Sequence, residues 1–271
     1  MLKKTILVIL LLISCCSVFS QKDEINLISW NIKDFGRTKK NEELNRIAEI
    51  VKEADIIAIQ EVVAGFGGPQ AVAKLSDILN RRVDKWDYVI SDPTNSPKYA
   101  SERYAFIWKT SLIKIKDRGW LLNEMDSVID REPFLLNFYM GNKKFTIINY
   151  HSRPYNKDPE GEIRELSEFV VDSFETPLII AGDFNVDEEE AVFDLLKSTG
   201  YLPTISNQKT TLKRACKRSS YLNYPIDNIF YSKDIIKVEG GVIDFVKFCD
   251  RLEQARKLSD HLPVFLRYKV E

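Results

Sequence analysis

The segment AGDFNVD, residues 181–187, carries polar side chains that are well suited to holding a hydrated cation or donating to a developing oxyanion. It follows PLII (177–180), a short apolar run that predicts a buried strand. Asp183 and Asn185 are two residues apart, so an extended segment would direct both side chains to the same face. A carboxylate can hold a hydrated cation, and an amide can donate to a developing oxyanion. Because Gly-Asp and Asn are also ordinary turn residues, this segment alone leaves a simple turn as the alternative.

Polar residues of similar kinds stand at the ends of other predicted strands. They are Asn31, Glu61, His151, Asp227, Asp260 and His261. Polar groups at the ends of packed strands can converge on one cleft. The chain has only two histidines, and both belong to this set. A single histidine at such a position is more often structural, but two beside strand-end carboxylates indicate a site.

Hydrolysis of a phosphodiester requires these types of residue. The substrate is an anion that gains charge in the transition state, and a metal ion can neutralise that charge. One group must take a proton from the attacking water, and another must protonate the leaving alkoxide. Histidine can serve both tasks near neutral pH when carboxylates tune its pKa.

Strands and amphipathic helices must position these residues, and the hydrophobic periodicity predicts both kinds of element. Helices are predicted at 44–54, 67–82, 161–174 and 188–200. Strands are predicted at 25–32, 55–62, 86–92, 103–109, 133–140, 144–150, 177–180, 225–232, 241–246 and 262–270. Gly141 and Asn142 predict a hairpin turn, and the loops 92–101 and 205–221 are long and polar. The pattern favours one domain of mixed sheets with helices outside.

The first twenty residues, 1–20, are typical of a secretory signal peptide. A positive start, MLKK, precedes the apolar run TILVILLLIS, which is too short to span a bilayer comfortably. Cleavage after Ser20 would leave a single domain over 21–271 in a secreted or periplasmic protein. A lipid anchor on Cys15 is the alternative, because LISC (12–15) also resembles a lipoprotein signal.

Cleavage would change the charge and the number of cysteines. It would remove two lysines and leave 37 basic and 40 acidic residues, a net charge of about −3. This balance argues against a broadly basic nucleic-acid surface, although a local basic patch stays open. Cys216 and Cys249 would remain, and they could pair in an exported protein; two free thiols are the alternative. So few cysteines and histidines do not favour a Cys/His zinc site.

Eight motifs occur in an order that resembles the endonuclease/exonuclease/phosphatase superfamily, and most closely its deoxyribonuclease I branch. They are SWNIKDFG, IIAIQEV, SERYAFIWK, REPF, NYHSRP, AGDFNVD, PIDNIF and SDHLPV. The resemblance covers about residues 25–270. It implies a four-layer α/β/β/α sandwich with two facing, mostly antiparallel sheets. It also implies Mg²⁺-dependent hydrolysis of phosphodiesters, with Mn²⁺ or Ca²⁺ as alternative cations.

The resemblance also implies which residues bind the metal and which handle protons. Glu61 would be the main magnesium ligand, with Asn31 and Asp260 close to it. Mg²⁺ keeps several waters, so one or two protein carboxylates suffice. His261 would act as the general base towards the attacking water. Asp227 would orient His261 or stabilise its charge.

The remaining residues that match the family's motifs would surround the phosphate. His151 would stand near the leaving oxygen, as an acid or a phosphate-binding cation, with Glu102 as its carboxylate partner. Asp183 and Asn185 would bind the phosphate, orient the water and tune the base. Arg131 would contact the phosphate.

The chain departs from the deoxyribonuclease pattern at two positions that face the DNA groove. In that branch an arginine follows the QEV motif and a tyrosine stands two residues before the position of Glu102. Here the positions hold Val63 and Ala100, and Tyr99 is one place off. Both departures predict weaker binding of duplex DNA. Two basic segments could supply phosphate contacts instead, with a merely solvated surface as the alternative: Arg37, Lys39 and Lys40, and LKRACKR (212–218).

The sequence therefore predicts a secreted, metal-dependent endonuclease that hydrolyses DNA with little sequence preference, with RNA as a further substrate. One alternative is a phosphatase or phospholipase of the same superfamily, acting on inositol phosphates or sphingomyelin. A phospholipase would need a membrane-facing apolar loop, and the sequence shows no clear loop of exposed aromatic residues. The other alternative is a non-catalytic, toxin-like subunit, against which the intact set of polar residues argues. No protein partner is evident, and a monomer is expected.

Overall fold

The structure is a computed structural model that describes residues 23–97, 100–174 and 177–271. Three features of the sequence lie outside the described residues: the predicted signal peptide (1–20), Cys15 and Tyr99. Within the described ranges, no helix combines the length and the apolar character that a bilayer crossing requires.

Two facing β-sheets form the centre of the molecule. The first contains, in spatial order, β14 (Ile235–Val242), β15 (Val264–Val270), β1 (Ile25–Phe35), β2 (Ile56–Val63), β4 (Glu102–Lys109) and β3 (Trp86–Ile90). The second contains β10 (Leu202–Pro203), β13 (Asp227–Tyr231), β9 (Leu178–Asp183), β8 (Lys143–His151), β7 (Phe134–Met140) and β5 (Lys114–Ile115), and β6 (Trp120–Leu121) also pairs with β7. The pairs β1–β2 and β8–β9 are parallel. The other paired strands that the structure describes are antiparallel.

Helices cover both outer faces of the sheets. The helices are α1 (Asn41–Val51), α2 (Gly67–Asn80), α3 (Pro159–Ser173), α4 (Asp194–Ser198) and α5 (Leu252–Leu258). One apolar core lies between the two sheets. A second core lies between the first sheet and α1 and α2, and a third packs the second sheet against α3 and α4. The predicted four-layer α/β/β/α sandwich with mostly antiparallel sheets is therefore confirmed.

Local sequence features bring the strand ends together at the site. In α1, residues at helical spacing are buried against the first sheet: Leu44, Ile47, Ala48 and Val51. In the second sheet, a Cβ at Gly182 would lie 1.8 Å from the carbonyl oxygen of Tyr150. Only glycine therefore permits this close approach of β9 to β8, and the approach sets Asp183 directly beside His151.

Two predicted elements have different bounds in the structure. The helix predicted at 188–200 is reduced to a 3₁₀ turn, Ala191–Phe193, and the short α4. The acidic residues before it form a turn instead, because the Asp187 carboxylate accepts from the amide of Glu189. The strand predicted at 241–246 overlaps only the last two residues of β14, which runs from Ile235 to Val242. There the Asp244 side chain accepts from two backbone amides that follow it and closes a turn.

The predicted polar loop 205–221 contains regular structure. It holds the strand β11 (Leu212–Lys217) and the start of β12 (Ser220–Leu222), which form a separate two-stranded hairpin. Cys216 in β11 is joined to Cys249 by a disulfide, so that prediction is confirmed. A cross-link over a sequence separation of 33 stabilises a fold by about 3–4 kcal/mol in the chain-entropy model.

Candidate active site

Side chains from both sheets converge at one end of the sandwich. The first sheet contributes Asn31 from β1, Glu61 from β2 and Glu102 from β4, and the second contributes His151 from β8, Asp183 from β9 and Asp227 from β13. His261 joins them from the segment before β15, where its carbonyl oxygen accepts from Nε1 of Trp30. The structure thus brings together most of the polar residues predicted at strand ends.

Asp183 is the centre of this cluster. It pairs in register with His151 on one neighbouring strand and with Asp227 on the other. Its Oδ2 lies 3.5 Å from Nε2 of His151 and 3.7 Å from Nε2 of His261. The same oxygen accepts from Nδ2 of Asn31 at 3.0 Å. One buried carboxylate oxygen therefore faces both imidazoles and one amide.

His151 forms the first imidazole–carboxylate pair. Its Nδ1 lies 3.0 Å from both carboxylate oxygens of Glu102. Burial alone would lower the pKa of His151, but the carboxylates of Glu102 and Asp183 together outweigh burial and raise the pKa above its ordinary value. Arg131 forms an ion pair with Glu102, with its Nε 3.1 Å from Oε2. Its guanidinium also donates to the carbonyl oxygen of Ser152 at 2.7 Å. The guanidinium is therefore largely engaged by the protein, and its contact with phosphate stays a prediction.

His261 forms the second pair, with Asp227. Its Nδ1 lies 3.0 and 2.9 Å from the two oxygens of Asp227, and Thr210 donates to the same carboxylate at 2.6 Å. Burial alone would lower the pKa of His261, but the carboxylates of Asp227 and Asp183 raise it to about 10. Burial raises the pKa of Asp227 to about 6. Near neutral pH the pair is therefore an imidazolium with a carboxylate.

Asn31 and Glu61 lie side by side next to this cluster. Glu61 has a φ of 59°, in a bulge where the register between β2 and β4 shifts. Such a bulge redirects a side chain. Its Oε1 accepts from Nδ2 of Asn31 at 3.0 Å, and its Oε2 accepts from the amide of Asp34 at 3.0 Å. Oδ1 of Asn31 is buried and has no hydrogen-bond partner. An orphaned amide oxygen beside a carboxylate suits a hard divalent cation, so these residues fit the metal that the family pattern implies.

Asp260, the third predicted metal ligand, is engaged by cations of the protein. Its Oδ2 lies 3.1 Å from Nζ of Lys33 and 3.3 Å from a guanidinium nitrogen of Arg256. Burial opposes ionisation of Asp260, but His261 and these two cations lower its pKa below the ordinary value. Asp260 is therefore a carboxylate, and its role as a metal ligand stays a prediction.

A second group of possible ligand atoms comes from Asp183, Asp227 and His261, which lie within 4.8 Å of one another. In this group Nδ1 of His261 and both oxygens of Asp227 already bond to each other. The orphaned oxygen of Asn31 therefore points more directly to a cation site than this group does.

The turn after β9 differs from the expected extended segment. Asn185 has a φ of 53°, so Asp183 and Asn185 do not alternate as in a strand, and the expectation that both side chains leave one face is wrong. Instead the amide of Asn185 donates to Oδ1 of Asp183 at 3.0 Å, and its Nδ2 donates to the carbonyl oxygen of Ser152 at 3.3 Å. The turn itself therefore fixes the Asp183 carboxylate.

A buried amide bridge that was not predicted from the sequence lies beneath the site. Nε2 of Gln60 in β2 donates to Oδ1 of Asn149 in β8 at 2.6 Å. Nδ2 of Asn149 donates to the carbonyl oxygens of Ile59 and Ala105. The bridge links the two sheets at Gln60, which directly precedes Glu61, and at Asn149, which is two residues before His151. In the sequence, this bridge is indicated by a polar residue inside each of two apolar runs, Gln60 in IIAIQEV and Asn149 in KFTIINY. Thr210, which holds Asp227, was missed because it lies in the predicted loop.

The surface positions that would face a DNA groove carry few side chains that could bind DNA. Val63, at the position of the family's arginine, is 37% exposed, and Ala100 is half-buried. Lys39 is buried and donates to the carbonyl oxygen of Lys257, so its expected phosphate contact is not supported. Its neighbours Arg37 and Lys40 are exposed.

The chain is similar to a curated protein and to solved structures. Deoxyribonuclease-1 of Rattus norvegicus is 30% identical over 175 residues, which are 59% of this chain and 60% of that protein. The match thus spans less than two thirds of that relative. An endonuclease/exonuclease/phosphatase family protein from Bacteroides thetaiotaomicron is 16% identical with a TM-score of 0.66, over 92% of this chain and 98% of that one. An endonuclease/exonuclease/phosphatase family protein from Leptotrichia buccalis is 17% identical with a TM-score of 0.66, over 90% of this chain and 99% of that one.

These structural similarities support the sandwich fold alone, because the sequence identities are low. The family model described as "Endonuclease/Exonuclease/phosphatase family" matches residues 28–261. This range includes every strand-end residue of the cluster, from Asn31 to His261. Since the match covers most of the chain, the chain belongs to the endonuclease/exonuclease/phosphatase family.

Proposed function

We propose that this protein is a divalent-metal-dependent phosphodiesterase, and specifically an endonuclease that hydrolyses DNA with little sequence preference. The observation that carries the proposal is the pair of imidazoles whose Nε2 atoms both face Asp183, beside the orphaned oxygen of Asn31 and the Glu61 carboxylate. Two proton-carrying groups around one anionic centre, next to a cation site, meet the needs of phosphodiester hydrolysis.

In this proposal Glu61 and Asn31 hold the cation, and Asp260 supports them. A bound Mg²⁺, with Mn²⁺ or Ca²⁺ as alternatives, neutralises the charge that develops on the phosphate. Asp34 and Asn31 hold the Glu61 carboxylate in place by hydrogen bonds to its two oxygens. The ligand therefore needs little reorganisation when the cation binds.

The two histidines move protons at Nε2, since a carboxylate occupies Nδ1 of each. The raised pKa values favour imidazolium, which suits phosphate binding and proton donation better than the general-base role predicted for His261. We assign donation to the leaving oxygen to one imidazolium. Asp183, fixed by the amide of Asn185, orients the attacking water and takes its proton. Transfer of that proton from Asp183 to the spent imidazole then restores the site.

Both histidines are expected to titrate above their ordinary pKa in metal-free protein, His261 near 10. Because the carboxylates stabilise the imidazolium, Asp227→Asn should lower the pKa of His261, and Glu102→Gln should lower that of His151. With two histidines in the sequence, NMR titration of the imidazole protons can follow each directly. The expectation fails if Asp227→Asn leaves the titration of His261 unchanged.

Plasmid DNA is expected to be cut without a fixed pattern when Mg²⁺ is present and to stay intact in EDTA. The similarity to deoxyribonuclease-1 motivates this substrate, and contacts with phosphates rather than base edges would give little sequence preference. RNA, sphingomyelin and inositol phosphates should be tested beside the plasmid. Val63→Arg should increase cutting of the duplex, because it places a basic side chain at the groove. If the plasmid survives while a phospholipid or an inositol phosphate is hydrolysed, the nuclease proposal is wrong.

Export to an oxidising compartment is part of the proposal. The signal-like sequence at 1–20 and the disulfide between Cys216 and Cys249 support it, since disulfides persist mainly outside reducing compartments.

A further inference from the structure

The hairpin of β11 and β12 carries a local excess of positive charge. Residues 205–224 contain five basic and no acidic residues, in a chain whose net charge is −1. Arg214, Lys217 and Arg218 are exposed. Throughout the parts of the chain that the structure describes, no ion pair joins any of these three to a carboxylate. Their charge is therefore available to an anionic partner.

The base of this hairpin is attached to the catalytic cluster. Thr210, two residues before β11, donates to Asp227, and Thr211 forms a bridge with His261. The amide of Leu212 donates to the carbonyl oxygen of Asp260 at 2.8 Å. A phosphodiester held at the histidines would thus have the hairpin directly beside it.

Apolar packing and a disulfide hold the hairpin in one position. Leu212 packs into an apolar cluster with Val246, Leu252, Ala255 and Leu262. The disulfide of Cys216 fixes β11 near its C-terminal end to the segment before α5. The turn residues Arg218 and Ser219 both have positive φ, at 51° and 59°, as in a tight two-residue hairpin turn. The basic side chains therefore lie on a hairpin whose backbone is fixed, and not on an unsupported loop.

We propose that this disulfide-clamped hairpin, residues 212–222, binds the phosphate backbone of duplex DNA next to the scissile phosphate. The proposal rests on the proposed function and names the surface that holds the polymer. From Lys213 to Lys217 an extended strand covers about 13 Å, and each DNA strand presents a phosphate for every ~3.4 Å of axis. The hairpin can therefore meet a few successive phosphates, which offsets the absence of a basic side chain at Val63.

A nucleic acid fits this surface better than a membrane. The tip is Arg218 and Ser219, with no apolar side chain to enter a bilayer. Phe248, beside the disulfide, is 61% exposed, but the guanidinium of Arg251 lies 5.4 Å from its ring centroid. The Phe248 ring therefore already lies against a cation of the protein and is not offered alone to lipid tails.

The test compares two triple variants that remove equal charge. Arg214→Gln/Lys217→Gln/Arg218→Gln alters the hairpin, and Lys74→Gln/Arg81→Gln/Lys85→Gln alters exposed residues of α2 and the loop after it. Binding of a fluorescent 20-base-pair duplex is measured by anisotropy in EDTA at several salt concentrations. The hairpin variant is expected to bind at least tenfold more weakly at low salt, with a slope of log Kd against log salt smaller by about 2–3. The control should bind like the unaltered protein.

A second readout separates this surface from the catalytic proposal. Hydrolysis of bis(p-nitrophenyl) phosphate, which is too small to reach the hairpin, should stay within about twofold of the unaltered rate in the hairpin variant. Cys216→Ser/Cys249→Ser should weaken duplex binding with the same small-substrate rate. Hairpin-dependent binding without any cleavage by metal-loaded protein would support the surface and sink the proposed function.

Several outcomes would overturn the inference. Unchanged duplex binding in the hairpin variant would do so, as would an equal loss in the control. Unchanged binding in the double serine variant would remove the role of the clamp. Hairpin-dependent binding to phosphatidylcholine–phosphatidylserine vesicles, without binding to the duplex, would identify a membrane surface instead.

Discussion

Replacing His261 with alanine is expected to lower the rate of phosphodiester hydrolysis by about 10²-fold or more, the scale for one acid–base group. The imidazole of His261 is fixed by Asp227, and its Nε2 is 3.7 Å from Asp183. Its loss removes a proton carrier and leaves the buried Asp227 carboxylate without its cation. Steady-state rates on a small diester and on plasmid, across a range of pH, measure the effect.

His151→Ala is the matched comparison and should cause a loss on the same scale, because His151 faces Asp183 from the other side. Near-ultraviolet circular dichroism controls for folding. Because both histidines act as imidazolium, the alkaline limb of the pH profile of the unaltered protein should change in each variant, and the acid limb should stay. Near-normal turnover by either variant would contradict a mechanism that uses both imidazoles.

Glu61→Gln is expected to raise the Mg²⁺ concentration needed for half-maximal activity strongly and to lower the rate at fixed low Mg²⁺ by about 10²-fold or more. The change keeps the shape of the side chain but removes the negative charge that a hard cation prefers. The two oxygens of the Glu61 carboxylate accept from Asn31 and Asp34, and a Gln amide can keep only one of these bonds, so near-ultraviolet circular dichroism must control for folding here too. Activity titrated against Mg²⁺ and Mn²⁺ measures the effect.

Two further variants test whether Glu61 is the main metal ligand. Asp260→Asn tests the third predicted ligand, and a smaller shift in the Mg²⁺ requirement is expected, because Lys33 and Arg256 already pair with Asp260. Glu165→Gln on the exposed face of α3 should have no effect. If Glu61→Gln keeps the unaltered rate at low Mg²⁺, the cation is held elsewhere.

The sequence predicted the elements with strong hydrophobic periodicity and the residues at their ends. Those strands are buried on one or both faces, so their pattern reports their packing directly, as for 55–62 and 144–150. The hairpin of β11 and β12 could not be predicted this way. It is mostly exposed, and it is held by a disulfide and by residues distant in sequence.

The geometry of the site was less predictable than its composition. Side-chain hydrogen bonds decide it, and these override backbone pattern at Asp187, Asn185 and Glu61. The left-handed backbone of Glu61 and Asn185 is a local strain that the surrounding contacts maintain. Periodicity carries no information about such positions.

The division of the cluster between the two sheets has a consequence for when chemistry becomes possible. Glu61 and Glu102 belong to one sheet and His151 and Asp183 to the other, and the amide bridge between Gln60 and Asn149 closes only when the sheets dock. A partly folded chain with one sheet formed has Glu61 and Glu102 without His151 and Asp183, or the reverse. Under the proposed function, cleavage competence therefore requires both sheets to be docked, so a chain exported unfolded would carry no nuclease activity before it folds.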